Sequence, residues 1–401
     1  MNRSVEMPGK SGGSDQAGRA SKRIVALDRA RSFIILLVLL HHSVVNYTHF
    51  GTGDSMRWLG FDLVVLFNDS FFMACMFLIS GLFVHASLTR RGPVSYVRRR
   101  AWRLGIPFLV SIFVLMPIAY YPTFLRYHLP GTTDFNFFHF WWHTLTIGPW
   151  PSGPAWFLWV LLAFDIVAAA LVTMMPRLVK PSGLLIFTLR DRPWMAFAAF
   201  LAVSVAVYLP MHLVFGDTSW LEPGGFPLPI QTSRILLYAG YFLTGVGIGV
   251  VSLRAGILAE GSEIVKRWPV WLAFASVFYG AILLLVYAHH NWVADFNSPP
   301  LTWRTGYGLA FALFSAAMAC TVLAVCVRFG PLRAGPLDAM RPSAYGIFLT
   351  HYVFIIWLQY GVYGYSWPAI VKAAVVFTGT LALSWGLTVM LRKIPFVARM
   401  I

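Results

Sequence analysis

Ten apolar stretches run along the chain, at approximately 30–48, 62–87, 103–124, 155–176, 194–216, 233–253, 269–290, 304–328, 343–363 and 368–391. Polar or basic segments separate them. A helix needs about 20 such residues to cross a bilayer, so the pattern predicts an all-α polytopic transmembrane bundle of about ten spans. The first stretch departs most from a plain span. Asp28, Arg29 and Arg31 stand before an almost wholly apolar run, Ser32 to Leu40, and His41 and His42 lie inside the helix. Ionisable groups within a span are expensive and usually functional. At 1.5 Å rise per residue, Arg31 and His42 are about 16 Å apart along the axis. That spacing sets a guanidinium near one membrane face and an imidazole near mid-depth.

Composition agrees with the pattern. The chain is 58% hydrophobic and 11% charged, against about 25% charged in soluble proteins. The net charge of +16 invites a nucleic-acid reading, but 26 of the 31 basic residues fall on one side once the spans alternate. This is the positive-inside asymmetry: it sets both termini in the cytoplasm and explains the charge without nucleic acid. Residues 1–22, rich in Gly, Ser and charge, read as a disordered cytoplasmic tail, leaving 23–401 as the membrane domain. Cys75, Cys320 and Cys326 all fall in predicted spans, with no CxxC pair, so no disulfide framework is expected. His139 and His143 have i, i+4 spacing with His128 nearby. No HExxH sequence or acidic cluster accompanies them, and no metal is expected.

The candidate chemistry lies on four segments. Span two runs opposite to span one, so Asp69 reaches a depth comparable with His42. A carboxylate there orients a catalytic imidazole, or else caps a broken helix. The inner loop after span two packs six arginines into the fourteen residues Arg90 to Arg103. Topology accounts for part of this run, and the excess points to an anion site suited to phosphates, with Trp102 placed to stack on a base. No GxxxxGK[ST] phosphate loop and no GxSxG nucleophile elbow occurs. Trp156 lies near the outer boundary of span four, and Asp165 deeper in it reads as a structural hydrogen-bonding group. His351 in span nine is a second intramembrane histidine, about 12 Å from the inner face, either on the same cavity as His42 or in packing. Gly240, Gly245, Gly247 and Gly249 in span six, and Ser80-Gly81 in span two, suit close helix approach.

Five segments in order, LDRARSFIILLVLLHH, FFMACMFLISGLF, RRGPVSYVRRRAWRLGIP, PAWFLW and SAYGIFLTHY, give the chain a wider resemblance. From Arg23 to Phe396 it resembles the acyltransferase-3 family of integral-membrane O-acyltransferases, including its glucan-modifying branch. An Arg, ten residues, then His selects Arg31 and His42, although Ala30 replaces the usual Leu of LDxLR and His41 stands beside His42. The resemblance implies a bacterial inner-membrane enzyme. It would move an acetyl or succinyl group from cytoplasmic acyl-CoA to a hydroxyl of an extracytoplasmic carbohydrate, such as a glucan or surface polysaccharide. Arg31, Arg100 and Arg103 would then hold the donor's phosphates with Trp102 near its base. His42, oriented by Asp69, would act as base, and His351 and Trp156 would line the acceptor side. The competing expectation is a transporter or flippase for an acylated or sugar compound.

Overall fold

The computed structural model describes residues 12–51, 53–127, 136–148, 150–222, 228–251, 256–259, 261–292, 299–330 and 335–400. Ten helical segments are long and apolar enough to cross a membrane: Val25–Tyr47, Leu59–Arg91, Pro93–Tyr127, Gly153–Met174, Pro193–Phe215, Thr232–Val250, Trp268–Trp292, Leu301–Phe329, Pro336–Val362 and Ala369–Leu391. They correspond one to one with the ten apolar stretches and are called spans one to ten. Of the expected tail, residues 1–11 lie outside the described residues, and Gly12 onward continues span one as helix. His128 also lies outside them. Between spans three and four, helix Phe137–Thr146 begins at Asn136, whose side chain accepts from the N–H groups of Phe138 and His139. A two-residue antiparallel ladder pairs Trp220 with Gln231 and Leu221 with Ile230 between spans five and six.

Span one is the axis of the bundle and touches spans two, eight, nine and ten. Its apolar positions Ala30, Ile34, Ile35, Val38 and Leu39 are buried among them. The α-helix stops inside the bundle at Val44 and tightens to a 3₁₀ turn, Val45–Tyr47. Such an ending frees carbonyls where no water competes for them, a costly state unless they are paired. Gln359 of span nine resolves it. Its Nε2 donates to the carbonyls of His42 (3.0 Å) and Ser43 (3.5 Å), and its Oε1 accepts from Asn46 Nδ2 at 2.6 Å. Arg29 fixes the other end of the span. It forks onto both Asp338 oxygens (2.7 and 2.6 Å) and donates to the Gly330 carbonyl.

Span two is three helices in series, Leu59–Asp69, Phe72–Gly81 and Val84–Arg91. Its middle crosses span six at backbone contact. A Cβ on Gly81 would collide with the Phe242 carbonyl, one on Gly245 with the Leu78 carbonyl, and one on Gly249 with the Leu82 carbonyl. Close approach of this kind needs glycine. We therefore expect Gly245→Leu to destabilise the bundle by about 3 kcal/mol, the upper end of ordinary overpacking, because two main chains must separate. Thermal unfolding in detergent reads it, and an unchanged melting temperature would contradict the crossing. At the bundle end opposite Arg29, Lys372 Nζ of span ten reaches both Asp54 oxygens (3.1 and 2.8 Å) and the Tyr363 carbonyl (3.4 Å). Both side chains of this ion pair are buried.

Candidate functional site

Two cavities enter the bundle from opposite ends. The first, about 320 Å³, opens where span one begins. Its charged lining is Asp28, Arg31, Arg100, Arg103 and Arg341, and its inner wall includes Ile35, Phe157 and Phe348. Arg31 contacts Asp28 at 3.2 Å and lies over the Phe83 ring, 4.6 Å from its centroid. Arg100 Nε is 3.0 Å from Asp165, which is fully buried and also accepts from the Tyr96 hydroxyl. Asp165 is thus the structural partner of a cavity arginine. No carboxylate lies within ion-pair distance of Arg103 or Arg341 among the described residues, and Asp338, three residues before Arg341, is held by Arg29, so the cavity is net positive. Span three widens to π turns at Ala101–Gly105 and Ser111–Leu115, the first immediately at the arginines. One extra residue in a turn rotates the rest of the helix by about 100° and re-aims its side chains, a device frequent at functional sites.

The second cavity, about 200 Å³, opens at the other end, among Asn46 of span one, Tyr120 and Arg126 of span three, and Tyr352, Gln359 and Tyr360 of span nine. Phe348 on the first cavity and Tyr352 on the second are one helical turn apart. His351 sits between them, fully buried, with Nδ1 2.6 Å from the Phe348 carbonyl. A carbonyl only accepts, so Nδ1 carries the proton and Nε2 of the neutral ring is a bare acceptor. That Nε2 has no partner among the described residues.

His42 completes the junction. Its ring lies 5.6 Å from His351 and 5.3 Å, edge-on, from Tyr352, centroid to centroid. The Tyr352 hydroxyl meets that of Tyr120 at 3.3 Å. The two adjacent histidines therefore separate by face: His42 turns to His351 and Tyr352 of span nine, while His41 packs on Phe72 of span two, 5.2 Å between centroids. The sequence left that choice open, and the helical offset between neighbours makes it.

Three expected residues stand elsewhere than the sequence reading placed them. Asp69 makes no hydrogen bond to His42 among the described residues. It lies at the break in span two, where Arg234 binds its two carboxylate oxygens (2.8 and 2.5 Å) and its main-chain carbonyl (3.2 Å). Neither the imidazole-orienting nor the helix-capping reading of Asp69 describes this geometry: its carboxylate is the ion-pair partner of Arg234, and Arg234 itself bonds the helix-end carbonyl. Trp156 packs against Tyr238 and Phe77 and lines neither cavity. Trp102 is partly exposed and meets Phe396 edge-on, outside the arginine cavity. Conversely, Arg341 lines the first cavity and Tyr120, Tyr352 and Gln359 the second, none of them among the residues the sequence singles out. Only Tyr352, next to His351 in the SAYGIFLTHY segment, carried a signal. No three His, Cys, Asp or Glu side chains among the described residues converge on a metal-binding point.

An arginine-lined cavity and an aromatic one thus open at opposite ends of the bundle, with the His42–His351 pair between Phe348 of the first and Tyr352 of the second. A comparison with curated proteins returned no match. The family model for the acyltransferase domain called acyltransferase-3 matches residues 24–389, nearly the whole chain, and this protein, an integral membrane acyltransferase, belongs to that family.

Proposed function

We propose that the protein transfers an acyl group from acyl-CoA, bound on the cytoplasmic side of a bacterial inner membrane, to a hydroxyl of an extracytoplasmic carbohydrate. The observation that carries the reading is the position of His42, beside Tyr352 of the second cavity and beside His351, which in turn packs on Phe348 of the first. The arginine cavity suits a donor bearing several phosphates, since guanidinium forks match phosphate oxygens. Arg103 and Arg341 are uncommitted, and Arg31 and Arg100 are held in place by Asp28 and Asp165. A flexible thioester arm passing Ile35 and Phe348 would arrive beside His42.

In this scheme the acceptor hydroxyl enters from the Tyr120–Tyr352 side. An acceptor lone pair on His351 Nε2 favours the His42 tautomer whose N–H points toward it, leaving the other His42 nitrogen as base. That nitrogen takes the hydroxyl proton as oxygen attacks the thioester carbonyl. The tetrahedral adduct collapses with cleavage of the C–S bond, and the proton on His42 passes to the departing CoA thiolate. Gln359 holds the main chain of His42 at the depth where this occurs. Both acetyl and succinyl donors fit the phosphate site equally, since the acyl end lies beyond it.

Removing one uncommitted guanidinium tests the donor site. A charge-assisted hydrogen bond is worth about 1.5–3 kcal/mol. Arg103→Ala or Arg341→Ala should therefore weaken binding of a non-hydrolysable acetyl-CoA analogue about 10- to 100-fold, read by calorimetry, with little change in turnover at saturation. Unchanged affinity in both variants would remove the donor from this cavity.

A further inference from the structure

We propose that the second cavity is built for an acceptor carrying a negative charge close to the hydroxyl-bearing ring, and that Arg126 recognises that charge. The inference rests on the acyl-transfer reading for its biological meaning but not for its test. At about 200 Å³ the cavity is smaller than the ~300–1,000 Å³ of ordinary ligand pockets. It therefore takes one ring of a larger acceptor and leaves the neighbouring unit at the mouth.

The polar groups of the cavity differ in what they have left to offer. Asn46 and Gln359 are bonded to each other, and Gln359 also to the end of span one. Tyr120 and Tyr352 share one hydroxyl contact and retain capacity next to His42. Arg126 is different in kind. Its guanidinium lies 3.5 Å over the Tyr363 ring and 4.9 Å from the Tyr127 ring centroid. No carboxylate lies within ion-pair distance of it among the described residues. The carboxylates Asp54 and Asp62 near this end are engaged by Lys372 and His49. A guanidinium lying over a ring keeps its N–H edge for two oxygens of a carboxylate or phosphate, and the ring contact holds that edge in place.

Position then specifies the ligand. Arg126 lies six residues beyond Tyr120 on the same helix of span three, roughly 9 Å along its axis, and both line this cavity. The cation thus sits outward of the reacting ring, where the next unit of an oligosaccharide would lie. A uronate or a phosphate substituent on that unit supplies the matching charge. The two sources share oxyanion chemistry and differ in net charge, which separates them by pH and by probe.

The test uses the full-length protein in nanodiscs and direct binding. The probes are glucose trisaccharides in α and β linkage, each offered neutral, with the terminal C6 oxidised to a uronate, and with that C6 phosphorylated. Wild type is expected to bind at least one anionic form ten-fold or more tighter than its neutral parent. Arg126→Gln should erase that preference while leaving neutral binding within two-fold, and Arg126→Lys should retain part of it. Equal affinity of neutral and anionic forms, no binding of any probe, or an equal loss for all forms in Arg126→Gln would overturn the proposal. CoA release from acetyl-CoA and succinyl-CoA is measured in parallel. An anionic preference without His42-dependent release would sink acyl transfer and leave the anion site standing.

Discussion

His42→Ala is expected to lower acyl transfer by about 10³-fold and to leave donor affinity within a few-fold of wild type. General-base assistance is typically worth about 10²–10⁴ in rate. His42 lies closer than His351 to the tyrosine lining the second cavity, 5.3 against 6.3 Å between ring centroids, so no neighbour substitutes for it. His351 has one nitrogen committed to the Phe348 carbonyl and is fully enclosed. His41 faces Phe72 in the opposite direction. Arg31 stands roughly 16 Å from His42 along span one, so the arginine cavity should bind donor normally. Free CoA release with and without acceptor, alongside calorimetric donor binding, checks both halves. A His41→Ala variant provides the contrast, with an expected loss below ten-fold. Equal loss in the two variants would contradict the assignment of the base to the face toward span nine.

The second large effect concerns folding. Lys372→Ala, or Asp54→Ala, leaves an unpaired charge at a site where the two side chains are 1% and 4% exposed. Breaking a buried pair typically costs about 3–5 kcal/mol, which is a large share of any protein's margin. The double variant Lys372→Met with Asp54→Leu removes both charges and should recover most of that loss. Thermal unfolding of all four proteins in one detergent closes the cycle. Single variants within about 0.5 kcal/mol of wild type would mean that the pair is solvated and carries little weight.

The sequence made the ten spans and the arginine end of the site legible for a physical reason. Long apolar runs and clustered arginines are one-dimensional signals, visible without knowing what packs against what. Arg31, Arg100 and Arg103 therefore meet on one cavity as their positions at the starts of spans one and three suggest. Partnerships between distant spans are not one-dimensional. Asp69 and His42 share a depth, but depth says nothing about azimuth, and Arg234 occupies the carboxylate. Charge asymmetry also hid information. It explained 26 of 31 basic residues by topology, and drew attention away from the five others, Arg57, Arg126, Arg234, Arg304 and Lys372. Three of these turned out to cap a helix break, carry a buried ion pair and stand at the mouth of the second cavity. Gln359 shows the same limit. An amide in a span reads as a polar exception, and only the early end of span one reveals what it bonds.

Sidedness tests the central claim most directly. The protein is reconstituted into proteoliposomes, and molecules with the amino terminus outward are selected by protease protection of a tag at that end. Acyl-CoA with a labelled acyl group is supplied outside, and the acceptor is trapped inside. Label appearing on the lumenal acceptor, lost in His42→Ala and absent when donor and acceptor exchange sides, is the predicted result. Label transferred only to acceptor on the donor's own side, or only with donor supplied at the opposite end, would contradict a path from the arginine cavity through His42 to the tyrosine cavity.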